Sequence, residues 1–382
     1  MNMKKNIYIN KYIIKPKGFS IIEFMVASLL SMIILIAVGS GYFAARKVND
    51  VAIARLNAQQ DIRNVSNMIV YDARMAGGFG CFNLSNLNVA KNITVATDWS
   101  GLNNKDIRNL HEYLFSGTKG ADNAVELSEG VKTISQSDFA SVVTGIPGGF
   151  VAQSDALVFQ YGEGTAAVAD LAATRDELTI HQNDDATVAT LVDNSPVVVS
   201  TCNTLSLYVI KRPNSGNVFK LGPKSQGLLP EAIMAPEVRH EVSLTRYIVN
   251  IYVVGRPNGG ELGLYRIRFG NNAWEAPQLL LSGINKMNIL YGYVNGCPGI
   301  DPTVNSELPA ASAPEETFTF TEQPLTTDMA RPLASIRLRL NGNNLAAEGQ
   351  TMTNAASRES AGNVYIYNID ANVRGGNRCA NR

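Results

Sequence analysis

The chain has 382 residues and equal numbers of acidic and basic side chains, so its formal net charge is zero. That length suffices for one large domain or two smaller ones with real cores, and the zero balance argues against nucleic acid as a primary partner, which would call for a basic face. Charged residues make up only 17% of the chain, and its richness in Asn, Ser, Thr, Gly and Ala suits loop-heavy β structure outside the cytosol.

The first 18 residues, MNMKKNIYINKYIIKPKG, carry five lysines and no acid. Such a leader stays cytoplasmic under the positive-inside rule. An uncharged run follows from Phe24 to Ala45, closed by Arg46 and Lys47, and a helix of ~20 apolar residues spans a bilayer. A secretory signal is cut after its apolar region. Here the sharpest break, Lys17-Gly18-Phe19, lies before it. A cut after Gly18 removes only the basic leader and leaves Glu23 as the fifth residue of the mature chain. A carboxylate at the centre of a membrane helix costs roughly 2.5–3.5 kcal/mol, and less near the end. Glu23 is either an interfacial residue facing water or one that needs a cationic partner, such as a freed α-amine at Phe19.

Beyond the apolar run, Ile62, Val65, Ile69, Ala73 and Ala76 fall on one helical face, and Gly77-Gly78 supplies a stop. The whole helix, from about Ser20 to Ala76, would be ~85 Å long at 1.5 Å per residue, with a soft spot at Gly39-Ser40-Gly41. The chain is therefore expected to divide into a cleaved leader (1–18), a transmembrane helix (19–45), a helical half beyond the membrane (46–78) and a β-rich globular body (79–382).

In the body, strands are predicted over Ser154–Glu163, Asp176–Gln182, Ser195–Arg212, Arg246–Arg256, Glu261–Phe269, Leu333–Gly342 and Gly362–Arg374. Gln278–Tyr293 reads as strand or short helix, then strand. Pro257-Asn258-Gly259-Gly260 is a hairpin turn. Gly164–Thr174 and Thr303–Thr317 read as surface loops. The fold class is α+β: a long N-terminal helix, transmembrane in its first half, on a large, mainly antiparallel sheet.

The cysteines are Cys81, Cys202, Cys297 and Cys379. An even, widely spread set behind an export-type N-terminus points to two disulfides. Three pairings exist and sequence does not choose among them. The pairing expected here is Cys81–Cys202, tying the helix end to the body, with Cys297–Cys379 pinning the tail. The three histidines, His111, His181 and His240, are far apart and form no metal motif. There is no nucleophile elbow and no phosphate-binding loop. Gly299–Glu307 has too few carboxylates for a calcium loop, and Gly145–Phe150 reads as a turn. No catalytic residue, metal or cofactor is assigned, and the chain is expected not to be an enzyme.

Gly18-Phe19-Ser20-Ile21-Ile22-Glu23, behind lysines and ahead of an apolar run, resembles the class III signal of type IV pilins and pseudopilins. Later stretches resemble minor pilins of the PilW group: RMAGGFGCF, LYRIRFGNNAWEAPQLLLSGINKMNILYGY, ASIRLRL and YIYNIDANVRGGNR. The resemblance implies a prepilin peptidase that cuts after Gly18 and methylates Phe19. It also implies that Glu23 pairs with a neighbouring subunit's N-terminal amine during assembly. It implies a low-copy subunit held in the bacterial inner membrane with its body in the periplasm. That subunit would later sit at the pilus tip, where it primes assembly and supports twitching motility. Expected partners are other minor pilins, the major pilin, the inner-membrane assembly platform and a large tip adhesin. Two alternatives stay open: a minor pseudopilin of a type II secretion tip complex, and a tip module for cell adhesion.

Overall fold

The computed structural model describes residues 18–83, 92–95, 130–181, 191–202, 204–211, 217–221, 229, 231–234, 242–270, 273–294, 318–322, 333–342 and 365–373. Within them the chain forms two compact units, one up to Asn57 and one from Ala58 onward. Residues 1–17 of the expected leader, Cys297, Cys379, His111, His240 and the Thr303–Thr317 loop lie outside the described residues.

Helix α1 (Ile21–Met75) is 55 residues long and runs unbroken through Gly39-Ser40-Gly41. Ser40 donates its hydroxyl to the carbonyl of Ala37 at 2.9 Å, and the helix is continuous across the expected soft spot. The first unit is this helix up to Asn57, and its apolar stretch continues past Arg46 and Lys47 to Ile53. Arg46 faces Asp50 at 4.0 Å, one turn on, and both remain solvated.

The second unit begins with the last turns of α1. Val65, Ile69, Ala73 and Ala76 are buried as their spacing predicts, with Ile62 half-buried beside them. Gly77 ends the helix in a left-handed conformation, φ 77°, which a residue without a Cβ adopts at no steric cost. Its N–H donates to the carbonyl of Gln160 at 2.8 Å.

Eighteen strands follow among the described residues. The first eight are β1 (Gly78–Phe79), β2 (Phe82–Asn83), β3 (Asn92–Val95), β4 (Val131–Ile134), β5 (Phe150–Ala152), β6 (Ala156–Leu171), β7 (Glu177–Ile180) and β8 (Pro196–Ser200). Then come β9 (Thr204–Lys211), β10 (Val218–Leu221), β11 (Ser243–Pro257), β12 (Gly263–Gly270), β13 (Ala273–Trp274), β14 (Gln278–Ser282), β15 (Ile284–Val294), β16 (Phe318–Thr321), β17 (Leu333–Gly342) and β18 (Tyr365–Asn372). A short helix, α2 (Gln136–Val142), lies between β4 and β5.

Two expectations are corrected. Ser195–Arg212 is not one strand but the antiparallel pair β8–β9, with Thr201 donating to and accepting from Thr204 where the chain reverses. Most of the Gly164–Thr174 loop is instead the second half of β6. Its small Gly and Ala residues lack the bulky alternation that marks a strand, yet Ala166 and Ala167 pair with β11, and Val168 and Leu171 are buried. The predicted hairpin turn is present: Gly260 donates to Pro257 at 2.9 Å, with Gly259 at φ 75°.

The pairings β6–β7, β7–β10, β10–β9, β9–β8, β8–β11 and β11–β6 are all antiparallel and close a six-stranded ring. One apolar core, with Val168, Leu178, Val197, Tyr208, Phe219 and Leu244, belongs to these strands. The alternate residues of β8, β9 and β11, including Val198, Leu207 and Val249, enter a second core with Phe79, Phe82, Ile267 and Trp274. A third core joins the end of α1 to the other face of β6, β11 and β12. It also takes in the four-stranded sheet β16–β15–β17–β18, through Leu157, Tyr252, Leu264, Met287, Ile336 and Leu338. Because side chains alternate across a strand, the 15-residue strand β11 contributes to all three cores.

Candidate functional site

Three features concentrate chemistry: the start of α1, its end, and the clip just beyond. At the start, Gly18, Phe19 and Ser20 are exposed and lie outside the helix. The Gly18–Phe19 bond is therefore in open, non-helical backbone, the form in which a protease can grip a peptide. Ser20 caps the helix: its carbonyl accepts from Phe24 N–H at 3.1 Å and its hydroxyl from Ile22 N–H at 3.4 Å. Glu23 reaches back, and its Oε2 accepts the Ser20 N–H at 3.1 Å. This is the reciprocal contact of a capping box, placed where the helix dipole favours an anion. The serine and glutamate three apart, ahead of an apolar run, carried that signal in the sequence.

The rest of the segment is bare. Ile21–Ile53 is the one helix among the described residues long and apolar enough to cross a membrane, and none of it is buried in this chain. Phe19 is 84% exposed. Ser28 and Ser31 turn their hydroxyls to the carbonyls of Met25 and Ala27 at 2.9 and 2.7 Å, which removes free donors from an apolar surface.

At the other end, the last turn of α1 carries a fully buried carboxylate, Asp72. Tyr252 on β11 donates its hydroxyl at 2.6 Å, Asn250 on β11 its amide at 2.9 Å, and Tyr161 on β6 its hydroxyl at 3.0 Å. Asn250 also donates to Tyr161 at 3.0 Å, and Arg266 on β12 stands 3.5 Å away. The side chains come from three strands because Asn250, Tyr252, Tyr161 and Arg266 share the face of the sheet that meets α1. Burial pushes the Asp72 carboxyl above its ordinary value of 3.8, outweighing the Tyr252 hydrogen bond, the Arg266 charge and the Tyr161 hydrogen bond. Burial, then the Asp72 charge, pushes both phenols well above their ordinary value, so both hydroxyls remain donors.

A second charged layer lies alongside. Glu163 on β6 takes a hydrogen bond from Arg246 on β11 and another from Arg268 on β12 at 2.8 Å. Arg268 also faces Glu275 at 3.8 Å. Burial pushes the Glu163 carboxyl up, but the hydrogen bonds and charges of Arg246 and Arg268 prevail and hold it below 4.5. The Arg266/Arg268 pair is thus mostly covered and ion-paired. Arg337 is paired with Asp370 at 2.6 and 2.9 Å and stacked 4.3 Å over Phe320.

The clip follows directly. Cys81 and Cys202 are disulfide-bonded, their Cα atoms 4.6 Å apart. Cys81 sits in the turn between β1 and β2, flanked by Phe79 and Phe82, both fully buried. Phe79 stacks on Tyr247, ring centres 6.1 Å apart, and its carbonyl accepts from Ser200 at 2.8 Å. The turn needs Gly80 at φ 64°, where a Cβ would collide with the Ser243 hydroxyl. His181 is exposed, and among the described residues no group of three or more His, Cys, Asp or Glu side chains gathers to hold a metal. Compared with known protein families, with curated proteins and with solved structures, the chain has no match.

Proposed function

We propose that this chain is a minor pilin of a type IV pilus. It is inserted in the bacterial inner membrane by α1, cut after Gly18 and methylated at Phe19 by a prepilin peptidase. The inner-membrane platform then extracts it into a tip complex with other minor pilins. There it primes assembly of the major pilin, supports twitching motility and contacts a large tip adhesin. The observation that carries the reading is the setting of Gly18-Phe19 and Glu23. An exposed, non-helical Gly18–Phe19 bond stands immediately before an apolar helix that has no buried residue from Ile21 to Ile53, with one carboxylate in its first turn. The docking of the helix's last turns on antiparallel sheet agrees with such a subunit. The same leader would serve a type II secretion pseudopilin. Loss of twitching, rather than loss of secreted enzymes, in a deletion strain separates the two.

The test is Glu23→Ala in the native host. Cleavage, followed by the mass of the mature chain, should proceed, while pilus number and twitching should drop. Full piliation with the variant as sole copy would remove Glu23 from assembly.

A further inference from the structure

Asp72 plays no part in that proposal, yet its position is hard to explain as simple packing. It lies on the buried face of α1, seven residues beyond Val65 and three beyond Ile69, both apolar. It also lies in the last turn of its helix, where the dipole disfavours an anion. Its nearest cation, Arg266, is 3.5 Å away rather than in tight contact. Full burial, an opposing dipole and a loose ion pair each favour the neutral acid. The three shorter contacts come from neutral donors. A protonated carboxyl still accepts such bonds, and the Oδ1 of Asn250, whose amide nitrogen already donates to Asp72, is buried with no hydrogen-bond partner among the described residues.

We propose that the Asp72 cluster is a pH-sensitive latch: the end of α1 is held to β6, β11 and β12 more tightly when Asp72 is protonated than when it is ionised. The groups that touch it or act on it by charge are Tyr161 on β6, Asn250 and Tyr252 on β11, and Arg266 and Arg268 on β12; Arg268 is in turn paired with Glu163, which Arg246 also holds, and with Glu275. Arg74 and Tyr71, its neighbours on α1, point to solvent. The sign follows from linkage. A carboxyl whose docked value lies above its free value of 3.8 binds its proton more tightly when docked. Docking therefore strengthens as pH falls through the docked value toward the free one, by at most about tenfold for each unit between the two. Glu163 works the other way, and its pairing weakens only below 4.5. The contact is tightest in mild acid.

The test uses the full-length chain in detergent micelles between pH 8 and 4.5, above the range where Glu163 is lost. Amide exchange at residues 68–76, corrected for the intrinsic pH dependence, should slow on acidification. Asp72→Asn, which keeps neutral hydrogen bonding, should be slow throughout and flat with pH. Should that variant not fold, carboxyl-carbon NMR on the wild type, labelled at aspartate, still decides. An Asp72 midpoint inside the pH 8–4.5 window, raised from 3.8, supports the latch, and one below that window overturns it. Wild-type protection that stays flat or falls on acidification also overturns it.

Discussion

Removing the Cys81–Cys202 bond should destabilise the second unit without rearranging it. The bond spans a sequence separation of 121 residues. In the chain-entropy account, closing a loop of that length removes ~16 cal/mol/K from the unfolded ensemble, or ~5 kcal/mol at 25 °C. Measured effects fall below such figures when the unfolded chain keeps structure, so a loss of ~3–5 kcal/mol is expected for Cys81→Ser with Cys202→Ser. The native arrangement should survive, because Phe79 and Phe82 anchor both sides of the turn and Ser200 holds the Phe79 carbonyl. Urea unfolding of the full chain, followed by tryptophan fluorescence, reads the loss as a lower midpoint. Near-ultraviolet dichroism before the transition should match the wild type.

Phe79→Ala is the contrasting perturbation. It leaves the disulfide but empties a fully buried ring site stacked on Tyr247, which costs about 3–5 kcal/mol through lost burial and a residual cavity. Here the native dichroism should change as well. A midpoint shift worth under ~1 kcal/mol for the serine pair would refute the entropic account. Loss of the native dichroic signal in that pair would show that the covalent bond, rather than the two phenylalanines, seats the segment.

Two further outcomes are expected. Glu163→Gln should flatten the acid side of the stability curve. The wild-type carboxyl is held below 4.5, so its contribution is present above that value and is lost as pH falls through the folded value. Urea midpoints between pH 5 and 3 should therefore drop less steeply in the variant. Gly130→Ala should cost ~3 kcal/mol, because a Cβ there meets the backbone of Gly77 where Gln160 hydrogen-bonds to both glycines. A thermal midpoint equal to wild type would rule out that close approach.

Much of the fold was written locally. The spacing from Ile62 to Ala76 marks the buried face of α1, Gly77 marks its end, and alternating residues mark β11, β12 and β17. What sequence reading missed is long-range. Closing the ring requires β6 to leave β11 and join β7, with register shifts between Leu244 and Arg246 and between Val168 and Asp170. On the β6 side both shifts fall in the Gly- and Ala-rich run from Glu163 to Asp170, which carries no strand signal of its own. The Asp72 cluster draws on β6, β11 and β12, between 89 and 194 residues away, so its partners were beyond any local pattern. The carboxylate itself was legible, as an ionisable residue seven places from Val65 on an otherwise apolar face. The Cys81–Cys202 pairing was guessed from the need to tie down the end of α1, and the geometry supplies its basis in the β1–β2 and β8–β9 turns.

The capping contact of Glu23 changes what its removal means. Glu23→Ala deletes both a charge and the acceptor for the Ser20 N–H, and the lost cap alone can fray the first turn, a change of about 0.5–2 kcal/mol in capping series. Glu23→Gln separates the two roles. A glutamine side chain still accepts that N–H, as capping boxes built with Gln do, but it cannot pair with a cationic amine. If assembly depends on the charge, the glutamine variant should be cut normally and then fail to assemble, as the alanine variant does. If it assembles like the wild type, Glu23 serves its own helix and the pairing with a neighbour's freed amine is wrong. On the proposed route the two roles would succeed one another in time. Before the cut, Phe19 would carry a peptide N–H and no charge, with the Ser20 contact holding the carboxylate at the helix start. The proposed cut would create a charged amine four residues from Glu23, free to be exchanged for that of a neighbour.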